Sequence, residues 1–249
     1  MAPLAQTLAL LAMAMATTAV EVVPLDMAQD SFDDQYRGCG PAMKATLLAL
    51  NRSEFQQNKK FAKVWEKAVA VWQSQGSPES PLSPDQATAI TAFTMDDLSS
   101  TFSHAVCVVG RSRQEYQDNF HFKTLHFLLT NALAMLRDTL KGQCLDMFLL
   151  VFIVWIEAQR GDTVWFGEFT SVFLSKPTGD CSNYMVVELH TCHGMEIQFF
   201  TEHLEEIWVL IPPFETFKVI QYTREGDKTQ IRFCSTGTSS KYNCEWSEV

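Results

Sequence analysis

The densest cluster of chemically versatile side chains in this 249-residue chain is His190-Thr191-Cys192-His193, three potential metal ligands within four residues. Structural zinc needs four converging ligands, and no second pair stands at a suitable spacing. No metal site is therefore expected, and the segment reads as a strand end whose cysteine forms a disulfide. A hydrolase-type serine nucleophile would sit in Gly-x-Ser-x-Gly at a strand-to-helix turn, and the chain contains none. No Gly-x-Gly-x-x-Gly follows a strand-like run either, so a Rossmann dinucleotide site is not supported. What remains is a dispersed set: Ser171 in Phe169-Thr170-Ser171, and Glu205-Glu206 ahead of an apolar run that ends in Pro212-Pro213. Such residues do chemistry only if the fold brings them together.

The elements that would do so change character midway. In the first half, Phe61, Val64, Trp65, Ala68 and Trp72 recur at helical spacing between Lys and Glu, and Gly76 and Pro78 stop the pattern. Pro78, Pro81 and Pro84 mark a connection. Ser83 is placed as an N-cap with Pro84 at the first helical position and Gln86 at the third, which predicts a new helix. Phe122, Leu125, Leu129, Ala132 and Leu136 share one face of a third helix between about Asn119 and Asp138. From Cys144 onward, β-branched and aromatic runs alternate with Gly, Pro, Asp and Asn. Met147 to Ile156 is an unbroken apolar run of ten residues, too short to span a bilayer and suited to a central strand buried on both faces. Helices followed by strands predict an α+β fold, with a mixed or antiparallel β region.

Composition bounds the function classes. Hydrophobic content of 47% with only 19% charged residues predicts a globular domain. A net charge of -10 excludes a phosphate-tracking nucleic-acid binder. Met1 to Ala19 is apolar and ends in small residues, so it reads as a secretory signal peptide that leaves residues 20–249 as one domain. Seven cysteines without a C-x-x-C pair suit an oxidising compartment, as does the glycosylation sequon at Asn51-Arg52-Ser53. The polar C-terminus lacks the tail of a lipid-anchor signal. The expectation is a secreted, glycosylated, soluble monomer with no membrane span.

Several segments gain meaning as an ordered set: Asp30-Ser31-Phe32-Asp33-Asp34-Gln35-Tyr36-Arg37-Gly38-Cys39, Asn119-Phe120-His121-Phe122-Lys123 and the expected strand Val164 to Ser171 are followed by His190-Thr191-Cys192-His193-Gly194. Glu205 to Pro213 and Ser235 to Cys244 complete it. In that order and spacing the chain resembles the vertebrate ecto-mono-ADP-ribosyltransferases, in particular the secreted avian members, over nearly its whole mature length. The resemblance implies an NAD cleft between two sheets and transfer of ADP-ribose to arginine in acceptor proteins with release of nicotinamide. NAD would be the co-substrate, with no metal.

Enzymes of this family build their site on an Arg that clamps the pyrophosphate, a Ser that positions the nicotinamide ribose, and a Glu-x-Glu pair. The first Glu directs transfer to arginine and the second stabilises the cationic ribose. The resemblance places Ser171 at the serine, with Val172 and Phe173 where small hydroxylated residues are usual. Counting from Cys144 puts Leu149 at the arginine position, while Arg160 falls in a loop as a solvated charge. Aligning Val209 to Pro213 puts Glu206 at the first Glu and Trp208 at the catalytic one. Indole donates one hydrogen bond and accepts none, so it cannot replace a carboxylate. Trp155 and Trp165 also stand where the family has polar or basic residues. The implied reading is a transferase with an impaired site, the alternative being a secreted binding protein without turnover. The resemblance also pairs Cys39 with Cys244 and Cys144 with Cys192. Cys107, Cys181 and Cys234 then leave at least one thiol without a partner in the chain.

Overall fold

The computed structural model describes residues 21–24, 28–75, 80–151, 154–173, 185–201, 208–225 and 228–246. The expected signal peptide, Cys181 and Glu206 lie outside them. The first half forms helices α1 (Gly40–Gln57), α2 (Lys59–Ser74), α3 (Pro84–Phe93), α4 (Asp96–Val109), α5 (Arg113–Asn119) and α6 (Lys123–Thr139). The stripe Phe61, Val64, Trp65, Ala68 and Trp72 is the buried face of α2, and the Asn58 side chain caps that helix by accepting from the Phe61 amide. Ser83 and Gln86 form the reciprocal capping box that opens α3. Burying an aromatic side chain fully contributes about 1.5–3 kcal/mol, so such stripes hold the helices together.

The third predicted helix is α6, which starts a few residues later than expected. α5 ends at Asn119, Phe120 is extended, and α6 begins at Lys123. The new start is capped from a distance: the Glu54 carboxylate in α1 accepts from the amides of Lys123 (2.5 Å) and Thr124 (3.0 Å). A carboxylate at a helix N-terminus satisfies free amides and complements the helix dipole. The Asn51 sequon lies within α1, with Asn51 half-buried and Arg52 and Ser53 exposed.

The second half forms two sheets. In the small one β1 (Glu21–Pro24) runs parallel to β3 (Val154–Glu157). The large one has the order β4-β9-β10-β6-β2-β5-β8-β7. Its strands are β2 (Leu145–Val151), β4 (Thr163–Val164), β5 (Thr170–Phe173), β6 (Met185–Thr191), β7 (Met195–Glu196), β8 (Trp208–Ile211), β9 (Glu215–Glu225) and β10 (Lys228–Thr238). The apolar run Met147 to Ile156 is therefore not one central strand. Its first part lies between β6 and β5, and its second joins the small sheet. A uniformly apolar run suits either sheet, so composition alone does not reveal the change of partner. The expected strand through Val164 to Ser171 is likewise interrupted, because Gly167 takes φ 71°, outside the strand region. Its carbonyl accepts from the Ser31 hydroxyl instead of a neighbouring strand.

Two apolar clusters result. One fills the helical half around Phe32, Phe61, Phe102, Phe120 and Phe169, and the other gathers Met147, Val187, Val209, Phe217 and Phe233 from the sheet. The chain ends are stitched together by Cys39–Cys244, while Cys144–Cys192 joins the start of β2 to the turn after β6. Both are the pairs that the resemblance implies. Closing loops of this kind contributes about 2–4 kcal/mol each. Beside the first bond, Asp33 accepts from the amides of Lys241 and Tyr242, and Asp34 accepts from those of Tyr36 and Glu245.

Candidate functional site

Three consecutive strands carry the residues singled out in the sequence. On β5, Ser171 is half-buried and pairs with Leu210 of β8. Two residues on, Phe173 pairs with Trp208, the first residue of β8. On the other side, β2 meets β5 at Phe148 opposite Phe173, and Leu149 pairs with Val187 of β6. Positions 149, 171 and 208 are thus brought into one patch of sheet by pairing alone. Glu206 lies outside the described residues, two positions before Trp208.

The chemistry of the patch is apolar where a charged site is expected. Trp208 is half-buried and packs against the helical core. Its carbonyl accepts from the Ile197 amide at 2.9 Å, which ties β8 to the turn ahead of Gln198–Phe200. Among the described residues the Ser171 hydroxyl has no hydrogen-bond partner, which leaves both its donor and its acceptor capacity for a ligand. Leucine at 149 offers no donor, so β2 supplies no counterpart to a pyrophosphate at that position. Arg160 is exposed in the loop after β3, as its sequence context implies. Trp165 is buried, with the Lys241 ammonium 5.9 Å from its ring centroid.

At the other end of β6, the His190 to His193 segment is organised by a residue that sequence reasoning passed over. Glu215 is fully buried at the start of β9. It accepts from the Thr191 hydroxyl (2.6 Å), the amides of Cys192 (2.8 Å) and His193 (3.1 Å), and the Ser235 hydroxyl (2.6 Å). Burial raises its pKa, and these hydrogen bonds oppose the rise. An acidic residue among Pro212-Pro213-Phe214 and Phe217 was the available signal. Sulfur atoms of Cys144 and Cys192 and a ring nitrogen of His190 lie within 4.8 Å of one another. The two sulfurs are joined to each other, which leaves no thiolate for a metal. His193 is half-buried, and its pKa is lowered to about 4 by burial and by the charges of Arg137 and Arg37.

The family model described as NAD:arginine ADP-ribosyltransferase matches residues 25–241. Among curated proteins, the chain is 42% identical over 234 residues to the erythroblast NAD(P)(+)--arginine ADP-ribosyltransferase of Gallus gallus, covering 91% of this chain and 77% of that protein. It is 40% identical to the GPI-linked NAD(P)(+)--arginine ADP-ribosyltransferase 1 of Mus musculus, over 90% of this chain and 73% of that protein. Among solved structures it is similar to the eucaryotic mono-ADP-ribosyltransferase ART2.2, with a TM-score of 0.75 and 27% identity over 90% of this chain and 100% of that one. A mutant of that protein has been solved in complex with NAD.

Proposed function

Because the chain belongs to the NAD:arginine ADP-ribosyltransferase family, we propose that it transfers ADP-ribose from NAD to arginine side chains of proteins outside the cell, at a rate depressed by its own site residues. The family is one of glycosyltransferases with NAD as substrate, and its acceptors are arginine residues of proteins. In this reading Ser171 binds the nicotinamide ribose through its unengaged hydroxyl, and Glu206 orients the incoming guanidinium. Both roles follow the positions these residues take in the family's ordered motifs.

The observation that carries the reading of depressed rate is Trp208. It opens β8 opposite Phe173, two residue pairs from Ser171, and packs on the helical core. As nicotinamide departs, positive charge develops on the ribose, and an indole provides no anionic oxygen to stabilise it. Losing one preorganised electrostatic group typically costs about 100- to 1,000-fold in rate. Leu149 removes a second such group, because no guanidinium is available on β2 to hold the diphosphate. Extracellular action is supported by the two disulfides, by the GPI-linked relative and by the apolar Met1 to Ala19 segment. No helix among the described residues is long and apolar enough to cross a membrane.

The same two residues favour a second reading, a binding protein that holds NAD or an arginine-rich partner without turnover. Calorimetric titration with NAD, paired with transfer of labelled ADP-ribose to an arginine acceptor, separates the two. Binding with slow transfer above a mock preparation supports the first reading. Binding without transfer supports the second, and no binding of NAD removes the first reading and the NAD-holding form of the second.

A further inference from the structure

A cavity of about 300 Å³ opens at the end of β8 remote from Trp208, beyond Ile211, where Pro212 and Phe214 form part of its wall. Its polar lining comes from Gln35, Arg37, Thr130, Arg137, His193 and Thr238. Four residues of strand, about 13 Å, separate Pro212 from Trp208, and Leu149, Ser171 and Trp208 are not among the residues that line this cavity.

Its electrostatics are unusual for a chain of net charge -10. Arg37 donates through Nη2 to Gln35 Oε1 and Thr238 Oγ1, both at 2.9 Å and both neutral. Among the described residues neither Arg37 nor Arg137 has an ion-pair partner. Glu215 lies behind the His193 amide, but it is fully buried and its oxygens are occupied by four donors. Arg137 stands in the last turn of α6, where a cation complements the helix dipole. That accounts for Arg137 alone and not for Arg37 beside it.

The frame is rigid as well: the Arg37 backbone exchanges hydrogen bonds with the Asn243 side chain, and the Cys39–Cys244 bond lies next to both.

We propose that this cavity binds a phosphate-bearing small molecule, with Arg37 and Arg137 as donors to its phosphoryl oxygens. Guanidinium groups match phosphate in both charge and geometry. The volume exceeds that of a bare phosphate and leaves room for a small organic body against Leu133, Pro212 and Phe214.

The test is calorimetric titration of the mature protein with ribose 5-phosphate, inorganic phosphate and, as a carboxylate control, citrate at constant ionic strength. Saturable one-to-one binding of ribose 5-phosphate is expected, with at least tenfold weaker binding in Arg137→Gln. Absence of saturable binding by both phosphate probes, equal binding by folded Arg137→Gln, or citrate binding as tight as the phosphate ester would each overturn the proposal. If Arg137→Gln does not fold, the unaltered protein is treated with an arginine-specific dicarbonyl reagent and mapped by mass spectrometry. Protection of Arg37 and Arg137 by ribose 5-phosphate supports the site, and equal modification with and without it rejects the site.

Discussion

Acidification from pH 8 to pH 5 should destabilise the protein through His126, and a His126→Gln variant should lose that part of the response. His126 is fully buried in α6, and its Nε2 lies 3.2 Å from the Phe32 carbonyl oxygen. A carbonyl can only accept, so Nε2 carries the proton, and Nδ1 accepts from the Tyr36 hydroxyl at 3.0 Å. Burial keeps Tyr36 protonated by raising its pKa well above 10.0, and it lowers that of His126 from 6.5 to about 3. The sign follows from proton uptake. Between pH 6.5 and about 3 the unfolded chain binds a proton at this residue that the folded protein refuses, so stability is complete above pH 6.5 and falls as pH drops. At pH 5 the unfolded imidazole is almost fully protonated, which corresponds to a loss of about 2 kcal/mol relative to pH 8.

Buried Asp33, Asp34, Glu54 and Glu215 and half-buried Glu168 have raised pKa values and act with the opposite sign, and His193, at about 4, acts with the same sign as His126. These groups are common to both proteins and cancel in the comparison. Urea unfolding of wild type and His126→Gln at pH 5 and pH 8 gives the double difference. A value within about 0.5 kcal/mol of zero would refute the assignment of a buried neutral imidazole, because a shift of this size requires several times that.

Other predictions concern single contacts. Glu215→Ala leaves the Cys192 and His193 amides without their acceptor, at about 1–3 kcal/mol each, so urea unfolding should show a loss of about 2–6 kcal/mol; a loss under about 1 kcal/mol would contradict the four-donor arrangement. Gly167→Ala combines φ 71° with a Cβ that would lie 2.4 Å from Ala28 Cβ, so lower expression or a clear drop in Tm is expected, and an unchanged Tm would argue against that close approach. The Cys107 thiol, pushed up to about 12 by burial and by the Glu168 carboxylate, should be alkylated at pH 8 on the order of 1,000-fold more slowly than an unhindered cysteine peptide, read by mass spectrometry of the labelled residue.

Local physics made much of the helical half legible. The α2 stripe and the Ser83–Gln86 capping box are set by residues within a turn or two of one another, so spacing alone reveals them. The break between α5 and α6 is different in kind, because the carboxylate that stabilises the new start comes from Glu54, 69 residues earlier. The division of Met147 to Ile156 between two sheets is hidden for a similar reason: strand partners, not composition, decide where an apolar run changes sheet. In the site, the family's ordered motifs located Ser171, Leu149 and Trp208, which pairing then sets on three consecutive strands. Glu215 escaped notice because its importance comes from four donors on two other elements, and no sequence spacing encodes them.

In this reading the rate is set by what stands at positions 149 and 208. The most direct measurement compares NAD cleavage and arginine-dependent ADP-ribose transfer by the unmodified protein and by the double variant Leu149→Arg with Trp208→Glu, under identical conditions. Restoring a guanidinium and a carboxylate should raise the rate by at least about 100-fold. A double variant no faster than its parent would contradict the claim that these two residues set the activity of the site.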